Sequence, residues 1–153
     1  MPWEACHRLA YALPHGERVY AIGDIHGRDD LLRVLLRRLG ADCAANPIAR
    51  VTLVYLGDYV DRGPGSRQVI DMVLARPAWA HEVVALLGNH EAFFIDALQG
   101  GGYLPVFLRN GGVATLASYG VTAADEPQSD DAQRQLMARA APLIPASHRA
   151  LLE

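Results

Sequence analysis

Three short stretches of this chain gather side chains able to hold metal ions and to move protons. They are Gly23-Asp24-Ile25-His26-Gly27, Gly57-Asp58-Tyr59-Val60-Asp61-Arg62-Gly63 and Gly88-Asn89-His90-Glu91. Asp24 and His26 stand two apart, so at the end of a strand both can point into the same crevice. Together they offer a hard carboxylate oxygen and an imidazole nitrogen, a mixture suited to Mn, Fe or Zn rather than to Ca. Asp58 adds a carboxylate whose two oxygens can bridge a pair of metals, and Asn89 adds a neutral carbonyl oxygen. The flanking glycines permit tight bends and close approach of backbones. Each stretch also has an ordinary explanation. Gly-Asp after a strand is usually only a turn, Asp61-Arg62 can be a surface ion pair, and Asn89-His90 can cap a helix beside an exposed imidazole. Three such turns, each directly after a strand, argue against coincidence.

Short apolar runs and helical periodicities mark the elements that must position these residues. Val19-Tyr20-Ala21-Ile22, Val51 to Leu56 and Val83 to Leu87 are short apolar runs. They read as strands buried on both faces, as in a parallel sheet between helices. Asp29 to Leu39 carries apolar residues at helical spacing, with acidic residues at its start and Gly40 as its stop. Pro64 to Ala75 reads as a second helix with Val69, Ile70, Val73 and Leu74 as its apolar face, and Glu91 to Leu98 as a third. The order β-α-β-α-β-α marks a parallel α/β sheet, and open parallel sheets bind ligands outside the carboxyl ends of their strands. Residues 18–99 form this metal-binding core within a single domain spanning 1–153. Residues 103–153 read as a helical segment without a strand: two short helices around Asn110-Gly111-Gly112, a polar loop from Val121 to Asp131, a helix from Ala132 to Ala141, and the start of another at Pro145.

Apolar residues make up 51% of the chain and charged residues 20%, ordinary values for a globular core. The formal charge of −3 does not suggest a nucleic-acid binder, although bound metals and local arginines can still draw an anionic substrate. Cys6 and Cys43 lack CxxC spacing and read as reduced thiols. No apolar run approaches the roughly 18 residues of a membrane span, and Met1 to Leu13 lacks the order of a signal peptide. A cytoplasmic protein without nucleic-acid or membrane partners is expected; the sequence leaves the oligomeric state open. His7, His15 and His81 read as surface or turn residues, Trp3, Trp79 and Tyr103 as packing residues, and Glu91 as a carboxylate suited to a helix start.

GDIHG, GDYVDRG and GNHE, in this order and near these spacings, resemble the calcineurin-like metallophosphoesterases. The likeness is strongest to the phosphoprotein phosphatase branch, which contains serine/threonine protein phosphatases and symmetrical diadenosine tetraphosphatases. Asn110-Gly111-Gly112, Thr115-Leu116 and Ser118-Tyr119-Gly120 also look like the small bacterial members, so the likeness runs from Arg18 to about Leu152. The resemblance implies two divalent metal ions, with manganese favoured over Fe, Zn or Mg. Asp24 and His26 would bind the first, Asp58 would bridge both, and Asn89 would bind the second. It implies attack by a metal-bridging hydroxide, with His90 as the general acid, Asp61 orienting it and Arg62 clamping the phosphoryl oxygens; Asn89 and His90 would also touch substrate.

The chain departs from the family pattern downstream, where members carry further metal-binding histidines and an arginine on a second sheet. The one histidine after His90 is His148, in a predicted helix that fits neither site. A fragment of a longer enzyme, lacking the second sheet of the metallophosphoesterase sandwich and of doubtful activity alone, is therefore expected. The leading functional expectation is phosphomonoester hydrolysis on a phosphoprotein or phosphopeptide, favoured by the Asp61-Arg62 pair in GDYVDRGP. The alternatives are cleavage of a dinucleotide polyphosphate (diadenosine tetraphosphate) and a non-catalytic fragment that binds or regulates.

Overall fold

The computed structural model describes residues 12–122, 127 and 129–152. Strands β1 (Glu17–Ile22), β2 (Arg50–Tyr55) and β3 (Glu82–Ala85) form a parallel sheet in the order β1-β2-β3. Helix α1 (Asp29–Ala45) joins the first two strands, α2 (Ser66–Leu74) joins the second and third, and α3 (Asn89–Leu98) follows β3. Ile22 pairs with Tyr55, and Tyr55 with Ala85, so the strands end level and their three turns leave side by side.

Beyond α3 come α4 (Leu104–Phe107), a wide helical turn at Leu108–Gly112, α5 (Val113–Ser118), α6 (Asp130–Ala140), a tight turn at Ala141–Leu143 and α7 (Ala146–Leu152). As expected for residues 103–153, this part is helical, and no strand follows β3 among the described residues. Part of the expected polar loop, with Trp3, Cys6 and His7, lies outside them. The α/β class holds: the chain forms a three-stranded parallel sheet with its connecting helices and a helical segment attached.

Two expectations need correction. Among the described residues the strands are well covered on one face and only partly on the other. Leu53 and Tyr55 are fully buried, whereas Val19 is 39% exposed and Leu56 and Leu86 about half exposed. The reason is topological. Both crossovers step the same way along the sheet, so two right-handed connections place α1 and α2 on the same side. Gly40, expected to stop α1, lies inside it, and the helix runs on to Ala45. A Cβ at Gly40 would lie 2.8 Å from Cδ1 of Trp79. This glycine therefore makes room for an indole that packs edge-on against Tyr20, with ring centroids 6.0 Å apart.

The helical segment packs on the core through Phe94 and Phe107, stacked at 5.0 Å, and through Leu116. His148 is buried in α7. It takes the Tyr119 hydroxyl hydrogen on Nδ1 at 2.9 Å and donates from Nε2 to Asp71 of α2 at 2.9 Å, in keeping with a role away from the metal turns.

Gly40→Ala tests the packing reading. Alanine gains about 1 kcal/mol of helix propensity, but crowding a packed site costs typically 1–3 kcal/mol. Urea denaturation should show a net loss of stability of about 1 kcal/mol, with altered tryptophan fluorescence; a more stable variant would remove Trp79 as the reason for the glycine.

Candidate functional site

The turns after β1 and β2 are built on backbone that L-residues avoid. Asp24 (φ 50°), His26 (φ 44°), Asp58 (φ 56°), Asp61 (φ 73°) and Arg62 (φ 68°) are all left-handed, and they are the non-glycine residues at positive φ among those described. Such conformations cost of the order of 1–3 kcal/mol each and persist where their surroundings over-determine them, typically at functional sites. Here the two turns lock together. The N–H of His26 donates to the Asp58 carbonyl (2.9 Å), that of Gly27 to Tyr59 (2.8 Å), and that of Gly63 back to His26 (3.0 Å). A Cβ on Gly63 would lie 2.3 Å from the His26 carbonyl oxygen, so only glycine fits there.

Glu91 fastens the second turn to the third. Its fully buried carboxylate accepts N–H groups from Asp58 (2.7 Å), Tyr59 (2.7 Å), Val60 (3.2 Å) and Gly88 (2.9 Å). The sequence suggests only a favourable charge at a helix start. The structure shows the group that satisfies three consecutive donors of the Asp58 turn.

On this frame the ligating atoms of Asp24, His26 and Asp58 lie within 4.8 Å of one another. His26 donates its Nδ1 proton to the Val60 carbonyl at 2.9 Å, which fixes the tautomer and leaves the Nε2 lone pair for a ligand. Asp58 Oδ1 accepts the N–H of His90 at 3.2 Å, and a Cβ on Gly88 would lie 2.1 Å from that oxygen. One imidazole and two carboxylates fit a divalent ion such as Mn, Fe, Zn or Mg, with positions left for water and substrate. Asn89 is exposed at the first position of α3, beside His90.

Asp61 and Arg62 do not form the alternative surface ion pair but take separate partners. Asp61 is fully buried, and its Oδ2 accepts the Nδ1 proton of buried His90 at 2.7 Å. Burial pushes the Asp61 carboxyl above the usual carboxylate range, opposed by hydrogen bonds from Thr115 and His90. Arg62 instead donates to Nε2 of His26 (3.0 Å) and of His90 (3.3 Å), whose rings lie 4.6 Å apart. A metal ion on His26 Nε2 requires this guanidinium to turn away. The structure also supplies partners that residue types alone did not identify: Thr115 donates to Asp61 Oδ1 at 2.7 Å, and Ser66 accepts the Asp61 N–H at 3.1 Å.

The sequence matches the family profile of the calcineurin-like phosphoesterases over residues 17–137. The chain belongs to that family. The serine/threonine-protein phosphatase BSL2 of Arabidopsis thaliana is 35% identical over 111 residues, covering 62% of this chain and 11% of that protein. A symmetrical bis(5'-nucleosyl)-tetraphosphatase of Delftia acidovorans is 42% identical over 82 residues, 54% of this chain and 26% of the relative. Serine/threonine-protein phosphatase 1 of Salmonella typhimurium is 36% identical over 94 residues, 61% and 38% respectively. This calcineurin-like phosphoesterase chain thus spans well under half the length of each of these relatives.

Glu91→Gln should lose about 2–4 kcal/mol of stability, because an amide brings two donors towards a cluster of backbone donors. Chemical denaturation measures the loss. Manganese titration of the folded fraction should also show weakened binding, since the Asp58 turn loses its anchor. Unchanged stability would mean that the four N–H contacts contribute little.

Proposed function

We propose that the chain carries the site of a metal-dependent phosphomonoesterase of the serine/threonine protein phosphatase type. The observation that carries this reading is the buried His90–Asp61 pair standing beside the Asp24-His26-Asp58 cluster. A general acid next to a metal site is the arrangement that phosphate-ester hydrolysis needs. Asp24, His26 and Asp58 would hold the first ion, and Asp58 with Asn89 the second, manganese being the first choice. Bound there, the ions would supply Lewis-acid polarisation of the phosphoryl oxygens and a water nucleophilic near neutral pH.

The chain's own residues do the rest. Arg62, exposed and free to turn from the imidazoles, makes bidentate charge-assisted bonds to phosphoryl oxygens. With Nδ1 committed to Asp61 and Nε2 released by Arg62, His90 in its imidazolium form delivers the Nε2 proton to the leaving oxygen, a contribution of about 10²–10⁴-fold. Asp61 holds the ring and stabilises the imidazolium, as a buried carboxylate does for a catalytic histidine. The Asp61-Arg62 sequence favours a phosphoserine or phosphothreonine substrate.

A second reading, cleavage of a dinucleotide polyphosphate, draws on a surface feature. Phe93 lies 6.4 Å from His90 and 5.4 Å from Tyr103, measured between ring centroids, and Tyr103 is 53% exposed. Tyr103 packs on Phe93, as its residue type suggests, and also presents an open ring on which a base can stack.

The whole protein that contains this chain, assayed with manganese on a phosphopeptide and on diadenosine tetraphosphate, separates these readings. The expected result is turnover of the phosphopeptide, reduced by about 10²–10⁴-fold in His90→Asn. Cleavage of the dinucleotide alone would overturn the substrate assignment, and saturable manganese binding with neither activity would mark a binding module. Asp58→Asn should lower manganese occupancy, measured by equilibrium dialysis; unchanged occupancy would remove Asp58 as a ligand.

A further inference from the structure

Thr115 sits on α5, 54 residues beyond Asp61 in sequence, and is fully buried. Its hydroxyl donates to Asp61 Oδ1 at 2.7 Å and accepts the backbone N–H of the same residue at 2.8 Å. One hydroxyl therefore grips Asp61 by both its side chain and its main chain, at a residue held in the left-handed region. Ser66 completes the clamp: its Oγ accepts the Asp61 N–H and lies 3.1 Å from Thr115 Oγ1. With Oδ1 engaged by Thr115, Oδ2 is the oxygen left for the Nδ1 proton of His90.

Thr115 is itself firmly held. Leu116 beside it is fully buried in the core. The Gly111 carbonyl accepts the N–H of Arg62 at 3.4 Å, and a Cβ on Gly111 would lie 2.5 Å from that nitrogen. Gly111 also adopts a φ of 104°, which places the start of α5 against the second turn.

We propose that Thr115 is a positioning residue for proton delivery: it fixes the Asp61 carboxylate so that His90 is held by Nδ1 and presents Nε2 to the leaving oxygen. This rests on the assignment of His90 as the proton donor. Released from Arg62 and protonated on both nitrogens, His90 passes its Nε2 proton to the departing oxygen as the P–O bond breaks and is left neutral, with its Nδ1 proton still on Asp61; Thr115 touches neither the proton nor the oxygen. Removal of its hydroxyl leaves a buried carboxylate oxygen without its donor, which frees the carboxylate to rotate and the imidazole with it.

Leaving-group dependence separates this role from a merely structural one. Proton delivery matters for a poor leaving group such as phenoxide and little for 2,4-dinitrophenoxide, which departs readily as the anion. Thr115→Val, close in shape but without the hydroxyl, should lower kcat on phenyl phosphate by about 10–100-fold, a part of what the general acid contributes. It should leave dinitrophenyl phosphate nearly unchanged, and Thr115→Ser should behave as the wild type on both. His90→Ala is measured alongside. If it slows both substrates equally, the general-acid assignment itself fails. If His90→Ala discriminates between them and Thr115→Val does not, the role of Thr115 fails alone.

A second measurement needs no turnover. The Nδ1 proton of His90, bonded to a buried carboxylate, should give a downfield proton NMR signal in the metal-free protein. It should shift or vanish in Thr115→Val and persist in Thr115→Ser; an unmoved signal in the valine variant overturns the proposal. Should valine prevent folding, Thr115→Cys, with a weaker donor of similar size, takes its place in both experiments with the same expected directions and the same overturning results.

Discussion

The buried carboxylate of Glu91 receives the N–H groups of Asp58, Tyr59, Val60 and Gly88, and the geometry of the site follows from that cluster of bonds. A turn with several left-handed residues points its amides inward and leaves them without a secondary-structure partner. In a dry interior those donors need an acceptor, and an anion with two oxygens can serve all four. Glu91 belongs to the first turn of α3, so satisfying these donors also fixes the helix start, and with it His90, relative to the end of β2. The β1 turn is then held by backbone bonds to the β2 turn.

The acidic residues of the site differ in environment rather than in kind. Asp24 is exposed and Asp58 half-buried, close to His26, where their carboxylate oxygens are accessible to a cation. Asp61 is out of water altogether, and its oxygens are committed to His90 and Thr115. Environment alone sets apart the carboxylates suited to hold metal from the one suited to orient an imidazole, as in other sites where similar acids take different roles. Arg62 lies between these two groups, in contact with an imidazole from each.

The architecture gives the turns their common edge but covers the sheet unevenly. Parallel strands that end level bring the three turns together, and this needs only β1, β2 and β3 in sequential order. That same sequential order sends both crossover helices to one face. Val19, Leu56 and Leu86 are left partly exposed on or beside the other, although their residue types read as core.

The sequence by itself marked out the candidate residues of the three turns and the elements that carry them. Asp24, His26, Asp58, Asn89 and His90 were legible because strand, turn and helix signals are local, and because few residue types other than these bind metals or move protons. The mixed β/α order was legible for the same reason. What it did not disclose depends on residues distant along the chain. Gly40 looks like a helix stop until Trp79 is seen beside it. Glu91 looks like a helix-start charge until the amides of a turn more than thirty residues earlier converge on it. Thr115 carries no signal of its own, because a threonine on a short helix is ordinary until the chain brings it against Asp61. Tertiary structure decided these three because a hydrogen bond or a close packing contact is a property of two places at once, and residue type and spacing describe only one.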